Sequence, residues 1–298
     1  MADLLNSAYD SVSSTFRRGL IKVLAAGPVP QHVAFVMDGN RRYARQRNMA
    51  IKEGHTNGFY ALQQILEICL LLGVKCVTVF AFSIENFKRS EEEVGALMEL
   101  AETKLLELTK HGEMLDQHGV RLNVLGRIEM LPENVQKSVR VAQEVTKNNS
   151  KSILNLCMPY TSRDEITTAV ELAIQEKVAS SLDGTEHPIT EADIERYMMT
   201  TLGGSPPLDI LIRSSGVKRL SDFLMWQASE NVQLHFTPTY WPDIGFWDLL
   251  PVILDYQVKV WTQQGGGWGS DRWVSLGIEC VALVVTVTLF ASLARLRT

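Results

Sequence analysis

The sequence predicts an α/β fold: one domain of about six mostly parallel strands flanked by helices, followed by an apolar C-terminal helix. Short runs rich in β-branched and aromatic residues alternate with longer stretches whose apolar residues recur at helical spacing. The connections between the runs are long enough for crossover helices, which makes successive strands parallel. With 298 residues and 46% hydrophobic content, the chain can bury one large core.

Residues 1–26 begin the chain as an amphipathic helix. Leu4, Leu5, Ala8, Val12, Phe16, Leu20, Val23 and Leu24 fall on one side, with Arg17, Arg18 and Lys22 beside them. A face of this kind suits a membrane surface and equally suits packing on its own domain. Pro28 and Pro30 end it. His32-Val33-Ala34-Phe35-Val36 is the first buried strand, opening through Met37-Asp38-Gly39-Asn40 into a helix that starts with Arg41 and Arg42. Residues 57–72 form a helix with Phe59, Leu62, Ile65, Leu66, Cys69 and Leu70 on one face, and residues 76–82 the next strand. After the loop 83–89, Ser90 N-caps a helix to about His111 with Glu93 at the capping-box position, and Val94, Leu97, Ala101, Leu105 and Leu108 form its apolar face. Strands follow at 120–126, 152–158, 208–213 and 232–236, with helices at 132–148, 163–179 and 190–201 between them. These elements fill a domain from 27 to 260. Residues 261–272, with Gly265-Gly266-Gly267, read as a linker. Residues 273–298 read as an apolar helix that anchors the chain in a membrane, against the alternative of burial on this protein or a partner. Trp268, Trp273, Arg295 and Arg297 are placed as interfacial anchors, while Glu279 interrupts the run.

Composition excludes some functions. A net charge of −5 gives no basic field for nucleic acid. Cys69, Cys76, Cys157 and Cys280 lack metal-ligand spacing and read as small core residues of a reducing compartment. The N-terminus lacks the uninterrupted apolar run of a secretory signal.

In an open α/β sheet, ligands sit beyond the carboxyl ends of the strands, where N–H groups at the next helix start carry partial positive charge. A carboxylate, a glycine, an amide and two guanidinia at that place suit a magnesium-bound diphosphate, with Asp38 toward the metal and Arg41 and Arg42 toward phosphate. The same residues also suit a plain turn with solvated arginines.

Four blocks decide between those readings: MDGNRRYAR at 37–45, EGH at 53–55, AFSIENFKRS at 81–90 and DILIRSSGVKRLSDFLMWQ at 209–227. In order and spacing they resemble the signature blocks of the cis-prenyltransferases, the undecaprenyl and dehydrodolichyl diphosphate synthases. RRYA and SIENFKRS are most similar to the eukaryotic dehydrodolichyl diphosphate synthase catalytic subunit. The resemblance implies transfer of isopentenyl diphosphate units onto an allylic starter, farnesyl diphosphate, to make a long polyprenyl diphosphate for dolichol and protein glycosylation. It assigns the allylic diphosphate to Gly39, Asn40, Arg41 and Arg42, with Asp38 holding Mg2+ and Arg89 and His55 nearby. His55 would otherwise be an ordinary histidine on a loop before a helix. It assigns isopentenyl diphosphate to Arg213, Arg219 and Ser221, and sets Phe82, Ser83 and Asn86 between the two. Ser83 and Asn86 would orient the leaving phosphate or the departing proton. No Asp-Asp-x-x-Asp run occurs, which argues against the trans-prenyltransferases.

The chain departs from that pattern in places. Val232 stands where single-subunit members carry a metal-binding Glu, with Glu230 nearby, and the Arg-x-Gly motif of homodimeric members is missing after Asp222. Val217 replaces a frequent Glu and Ile51 a frequent basic residue. The resemblance therefore implies a second, Nogo-B receptor-like subunit, and a place at the endoplasmic reticulum membrane with the catalytic domain facing the cytosol. The alternatives are a non-catalytic, membrane-tethered scaffold of the same fold, disfavoured by the intact Asp-Gly-Asn-x-Arg loop, and an Asp38-nucleophile phosphatase, disfavoured by Asn40.

Overall fold

The computed structural model describes residues 16–110, 113–180 and 188–264. The expected linker glycines, the apolar segment 273–298 and Cys280 lie outside the described residues. Two compact units are present, one of residues 30–248 and one formed by both chain ends.

The larger unit holds a six-stranded, all-parallel sheet in the order β3-β4-β2-β1-β5-β6. The strands are β1 (His32–Val36), β2 (Cys76–Phe80), β3 (Val120–Leu125), β4 (Ser152–Cys157), β5 (Ile210–Arg213) and β6 (Gln233–Phe236). Every residue of β1 is buried, as a central strand covered on both faces requires. The chain passes from β1 to β2 on one side and reaches β5 on the other, so β1 and β5 flank a topological switch point.

The helices are α1 (16–25), α2 (Asn40–Gln46), α3 (Ile51–Leu72), α4 (Glu91–Lys110), α5 (Glu113–Gln117), α6 (Glu133–Thr146), α7 (Ser162–Ser180), α8 (Glu191–Glu195), α9 (Met199–Leu202) and α10 (Phe246–Gln264). Two of them correct the sequence reading. α3 begins at Ile51, so His55 stands in the opening turns of a helix and not on a loop before one. The helix expected at 190–201 is divided, because Met198 takes an extended backbone conformation between α8 and α9.

One face of the sheet carries a buried polar ladder. His32 Nδ1 lies 2.8 Å from the Pro206 carbonyl oxygen and Nε2 2.7 Å from Thr78 Oγ1. Asn155 Nδ2 donates to Thr78 Oγ1 at 2.9 Å and to Ser205 Oγ at 2.8 Å, and Asn123 Nδ2 donates to Asn155 Oδ1 at 2.9 Å. Burial pulls His32 down to about 4, so its imidazole is neutral.

In the smaller unit, Gln257 of α10 donates through Nε2 to the Leu24 carbonyl at 2.7 Å and the Pro28 carbonyl at 3.2 Å. Of the expected helix 1–26, α1 covers the described part. Among the described residues no helix is long and apolar enough to cross a membrane.

Candidate active site

Register places the site. Val36 of β1 pairs with Arg213 of β5, so the residues just beyond the two strand ends meet at the switch point. Asp38 Oδ2 accepts from Arg213 Nη2 at 2.7 Å, and Asp38 Oδ1 lies 3.2 Å from Arg42 Nη2 and accepts the Gly39 N–H at 2.7 Å. Ser214 Oγ accepts the Asp38 N–H at 2.9 Å and donates to the Asp38 carbonyl at 2.7 Å, fixing the loop on β5. Gly39 adopts φ +104, and an added Cβ there would lie 2.8 Å from the Tyr240 ring. Only glycine fits that turn. Burial works to raise the Asp38 pKa, but hydrogen bonds from Arg213 and Ser215 and the charges of Arg213 and Arg42 hold it below the usual carboxylate range.

Arg213 is the hub of the second half. Its Nη1 donates to the Arg219 carbonyl and to Ser221 Oγ, each at 2.6 Å, and Arg219 Nε reaches the same hydroxyl at 3.2 Å. The loop that carries these residues is strained: Ser215, Ser221, Asp222 and Leu224 all have positive φ without being glycine. The two diphosphate sites expected from the sequence are therefore joined through one ion pair.

Arg42 also donates through Nη2 to Ser215 Oγ at 2.6 Å. Arg89 Nη1 donates to Glu93 Oε1 at 2.7 Å, and Arg41 Nη1 lies 3.4 Å from Glu93 Oε2. Glu93 thus departs from the expected capping box. Its N–H bonds Ser90 Oγ at 3.3 Å, but its carboxylate turns to the two arginines. His55 is lowered to about 4 by burial and by the Arg89 and Arg41 charges, against the opposing pull of Glu93. It is a neutral imidazole at pH 7.

Ser83 and Asn86 cap each other around the turn Ile84–Lys88. Ser83 Oγ accepts the Glu85 N–H at 3.2 Å and Asn86 Oδ1 accepts the Ser83 N–H at 3.1 Å. Phe82 is buried and packs edge-on against Phe87, with ring centroids 4.9 Å apart.

Asp38, Arg42, His55, Phe82, Ser83, Asn86, Arg89, Arg213, Arg219 and Ser221 line one or both of two cavities that share Asp38, Asn40, Arg41, His55, Arg89 and Arg219. The larger, about 790 Å³, begins at Asp38, Arg213, Arg219 and Ser221, passes Phe82, Ser83, Asn86 and Arg89, and continues between α3 and α4 over β4. Its walls there are mostly apolar, with Phe59, Leu62, Leu66, Leu97, Leu105 and Leu156, and include Gln63 and Lys104. The smaller, about 440 Å³, is lined by Arg41, Arg42, Arg45, Arg89 and Arg219 around Asp38, Gly39, Asn40 and His55. Arg47 stands outside this lining and pairs with Asp243 at 3.1 Å. Three buried polar atoms here have no hydrogen-bond partner: Asn40 Oδ1, His55 Nε2 and Arg213 Nε. Sequence reading missed Arg163 and Asp222, which line the larger cavity and pair at 2.8 Å. They come from separate elements, and no motif ties them together.

The putative undecaprenyl diphosphate synthase family matches residues 36–262. The chain belongs to this family, the cis-prenyltransferases. It is 48% identical over 240 residues to a dehydrodolichyl diphosphate synthase complex subunit of Schizosaccharomyces pombe, covering 80% of this chain and 89% of that one. A dehydrodolichyl diphosphate synthase complex subunit of Homo sapiens is 45% identical, over 83% of this chain and 72% of the relative. Among solved structures, lavandulyl diphosphate synthase from Lavandula x intermedia in complex with dimethylallyl diphosphate has a TM-score of 0.69 at 32% identity, covering 76% of this chain and 95% of that one. The cis-prenyltransferase fold expected from the sequence is thereby borne out.

Proposed function

We propose that this chain is the catalytic subunit of a dehydrodolichyl diphosphate synthase, adding isopentenyl diphosphate units to farnesyl diphosphate. The observation that carries the reading is the Asp38–Arg213 pair, which joins two arginine-rich anion sites at the head of one apolar cavity. Guanidinia at Arg42 and Arg89 hold the allylic diphosphate, and those at Arg213 and Arg219, with the Ser221 hydroxyl, hold the isopentenyl diphosphate. The hydrocarbon tail lies in the apolar part of the cavity.

Chain extension breaks the allylic C–O bond as the isopentenyl double bond attacks the allylic carbon. The arginines stabilise the charge gathering on the departing diphosphate. A phosphate oxygen takes the proton lost from the isopentenyl unit. His55, neutral and half-buried, acts as a hydrogen-bonding partner and not as a cation.

Mg2+ fits the donor set as a shared ion. Among the described residues no group of three or more His, Cys, Asp or Glu could hold a metal. Asp38 keeps a lone pair on Oδ2 beyond the bond to Arg213. One carboxylate with substrate phosphate oxygens and water is a usual magnesium environment. When bound, the ion would neutralise phosphate charge and ease departure of the leaving group.

The subunit names of the relatives support a second subunit, and we assign that place to a Nogo-B receptor-like partner. We assign the complex to the endoplasmic reticulum membrane, with this domain facing the cytosol. Each added five-carbon unit costs on the order of 4 kcal/mol to expose to water. A membrane that accepts the growing tail removes that obstacle.

Labelled isopentenyl diphosphate incubated with farnesyl diphosphate, Mg2+ and the purified chain, alone and with a second subunit, tests the reading. Labelled polyprenyl product that depends on the second subunit is expected. Release of free phosphate alone, or no reaction in either mixture, refutes the synthase. Full activity of the chain by itself refutes the need for a partner.

A further inference from the structure

The cavity that has a diphosphate head also carries an ammonium on its lining, that of Lys104. α4 runs along this cavity. Glu93, near the start of that helix, meets Arg41 and Arg89 at the head. Lys104 stands eleven residues further on, about 16 Å along the helix axis, and Leu97, Leu100 and Ala101 line the cavity between.

The Lys104 side chain is 14% exposed and pairs with Glu107 at 2.6 Å. Its Nζ lies 4.7 Å from the centroid of the Phe59 ring and 5.3 Å from that of Tyr60. Phe59 lines the cavity, whereas Tyr60 and Glu107 are exposed. The ammonium therefore sits where the oily wall meets water. Two aromatic faces and a carboxylate compensate its charge as long as they stay in contact with it. A hydrocarbon strand passing that point must part the ammonium from at least one of them.

We infer that Lys104 gates the outlet of the hydrocarbon cavity and is a determinant of product length. A polyprenyl tail outgrows a span of about three helical turns after a few condensations, so every later unit pushes tail past this charge. The resistance slows elongation relative to release, and the chain stops shorter than an apolar outlet would allow. The inference rests on the polyprenyl synthase reading above.

The test uses the complete complex with farnesyl diphosphate and labelled isopentenyl diphosphate, and reads product lengths by mass spectrometry. Lys104→Met, which keeps the length of the side chain and removes its charge, is expected to lengthen the mean product by at least one five-carbon unit. Lys104→Arg is expected to leave the distribution in place. Glu107→Gln, which frees the ammonium without touching the cavity wall, is expected to shift it in the same direction by less, and it carries the test if Lys104→Met does not fold. Distributions from Lys104→Met and Glu107→Gln that superimpose on wild type, or move to shorter chains, overturn the gate. Absence of any polyprenyl product from the wild-type complex overturns the synthase reading itself, and the gate with it.

Discussion

Two polar regions of the same sheet behave in opposite ways. In the ladder of His32, Thr78, Asn155 and Asn123, each side chain is matched to a neighbour across the strands. Its histidine is held neutral by burial, and among the described residues Arg121 Nε is the one orphan beside it. At the head of the cavity, five arginines crowd around one aspartate, and Asn40, His55 and Arg213 each keep a buried polar atom without a partner. Satisfied buried polar groups hold strands in register, whereas groups left unsatisfied beside excess positive charge are arranged for an anion from outside. Changes in the ladder should therefore act on stability, and changes in the head on turnover.

The largest expected break comes from Asp38→Ala. It removes the partner of Arg213 and Arg42 and the carboxylate available to magnesium, and should lower elongation by roughly a hundredfold or more. Circular dichroism should show the variant folded. Retained elongation would remove the metal assignment.

His32→Asn should act on the other side of the comparison. Its lost hydrogen bonds should cost roughly 2 kcal/mol at pH 7.5, read from the urea midpoint, with turnover within about twofold of wild type. The pH dependence follows from the same group. Folded His32 stays neutral down to about pH 4, while in the unfolded chain it takes up a proton near 6.5. The unfolded state thus binds more protons between those values, so stability is full above pH 6.5 and falls as pH drops through the window, by on the order of 3 kcal/mol for this site. His32→Asn should flatten that slope. An equally steep slope in the variant would move the effect to other groups, His55 foremost.

The smallest effect is expected from Ser83→Ala, because the residue caps a short turn beside the cavity. Loss of the cap should cost about 1 kcal/mol and lower turnover less than about tenfold. A larger fall in turnover with unchanged stability would give the Ser83 hydroxyl a direct role on substrate.

Much of this contrast is written in local sequence. The strand followed by Asp38-Gly39-Asn40-Arg41-Arg42 announces a strand, a tight turn and a cationic helix start, and all three are found. The parallel strands follow from the lengths of the connections. Strand order does not, so the direct pairing of Asp38 with Arg213, 175 residues apart, appears only when β5 lies beside β1. The start of α3 is hidden because Gly54 looks like a helix breaker. It instead lets α2 approach: an added Cβ there would lie 2.6 Å from the Asn40 carbonyl oxygen. Glu93 reads as a capping residue because spacing reports the local partner, and the distant competitors Arg41 and Arg89 carry charge that a backbone N–H lacks. The positive φ angles of Ser215, Ser221 and Asp222 leave no trace in composition, since none is glycine.

The central claim is that one ion pair joins two distinct diphosphate sites that share a cavity. Steady-state KM values for the two substrates, measured separately in Arg213→Lys and Arg42→Lys, test it most directly. Loss of guanidinium geometry at Arg213 should raise the KM for isopentenyl diphosphate by roughly 10- to 100-fold with a much smaller change for farnesyl diphosphate, and Arg42→Lys should show the reverse. Equal increases for both substrates in both variants would contradict two separate sites.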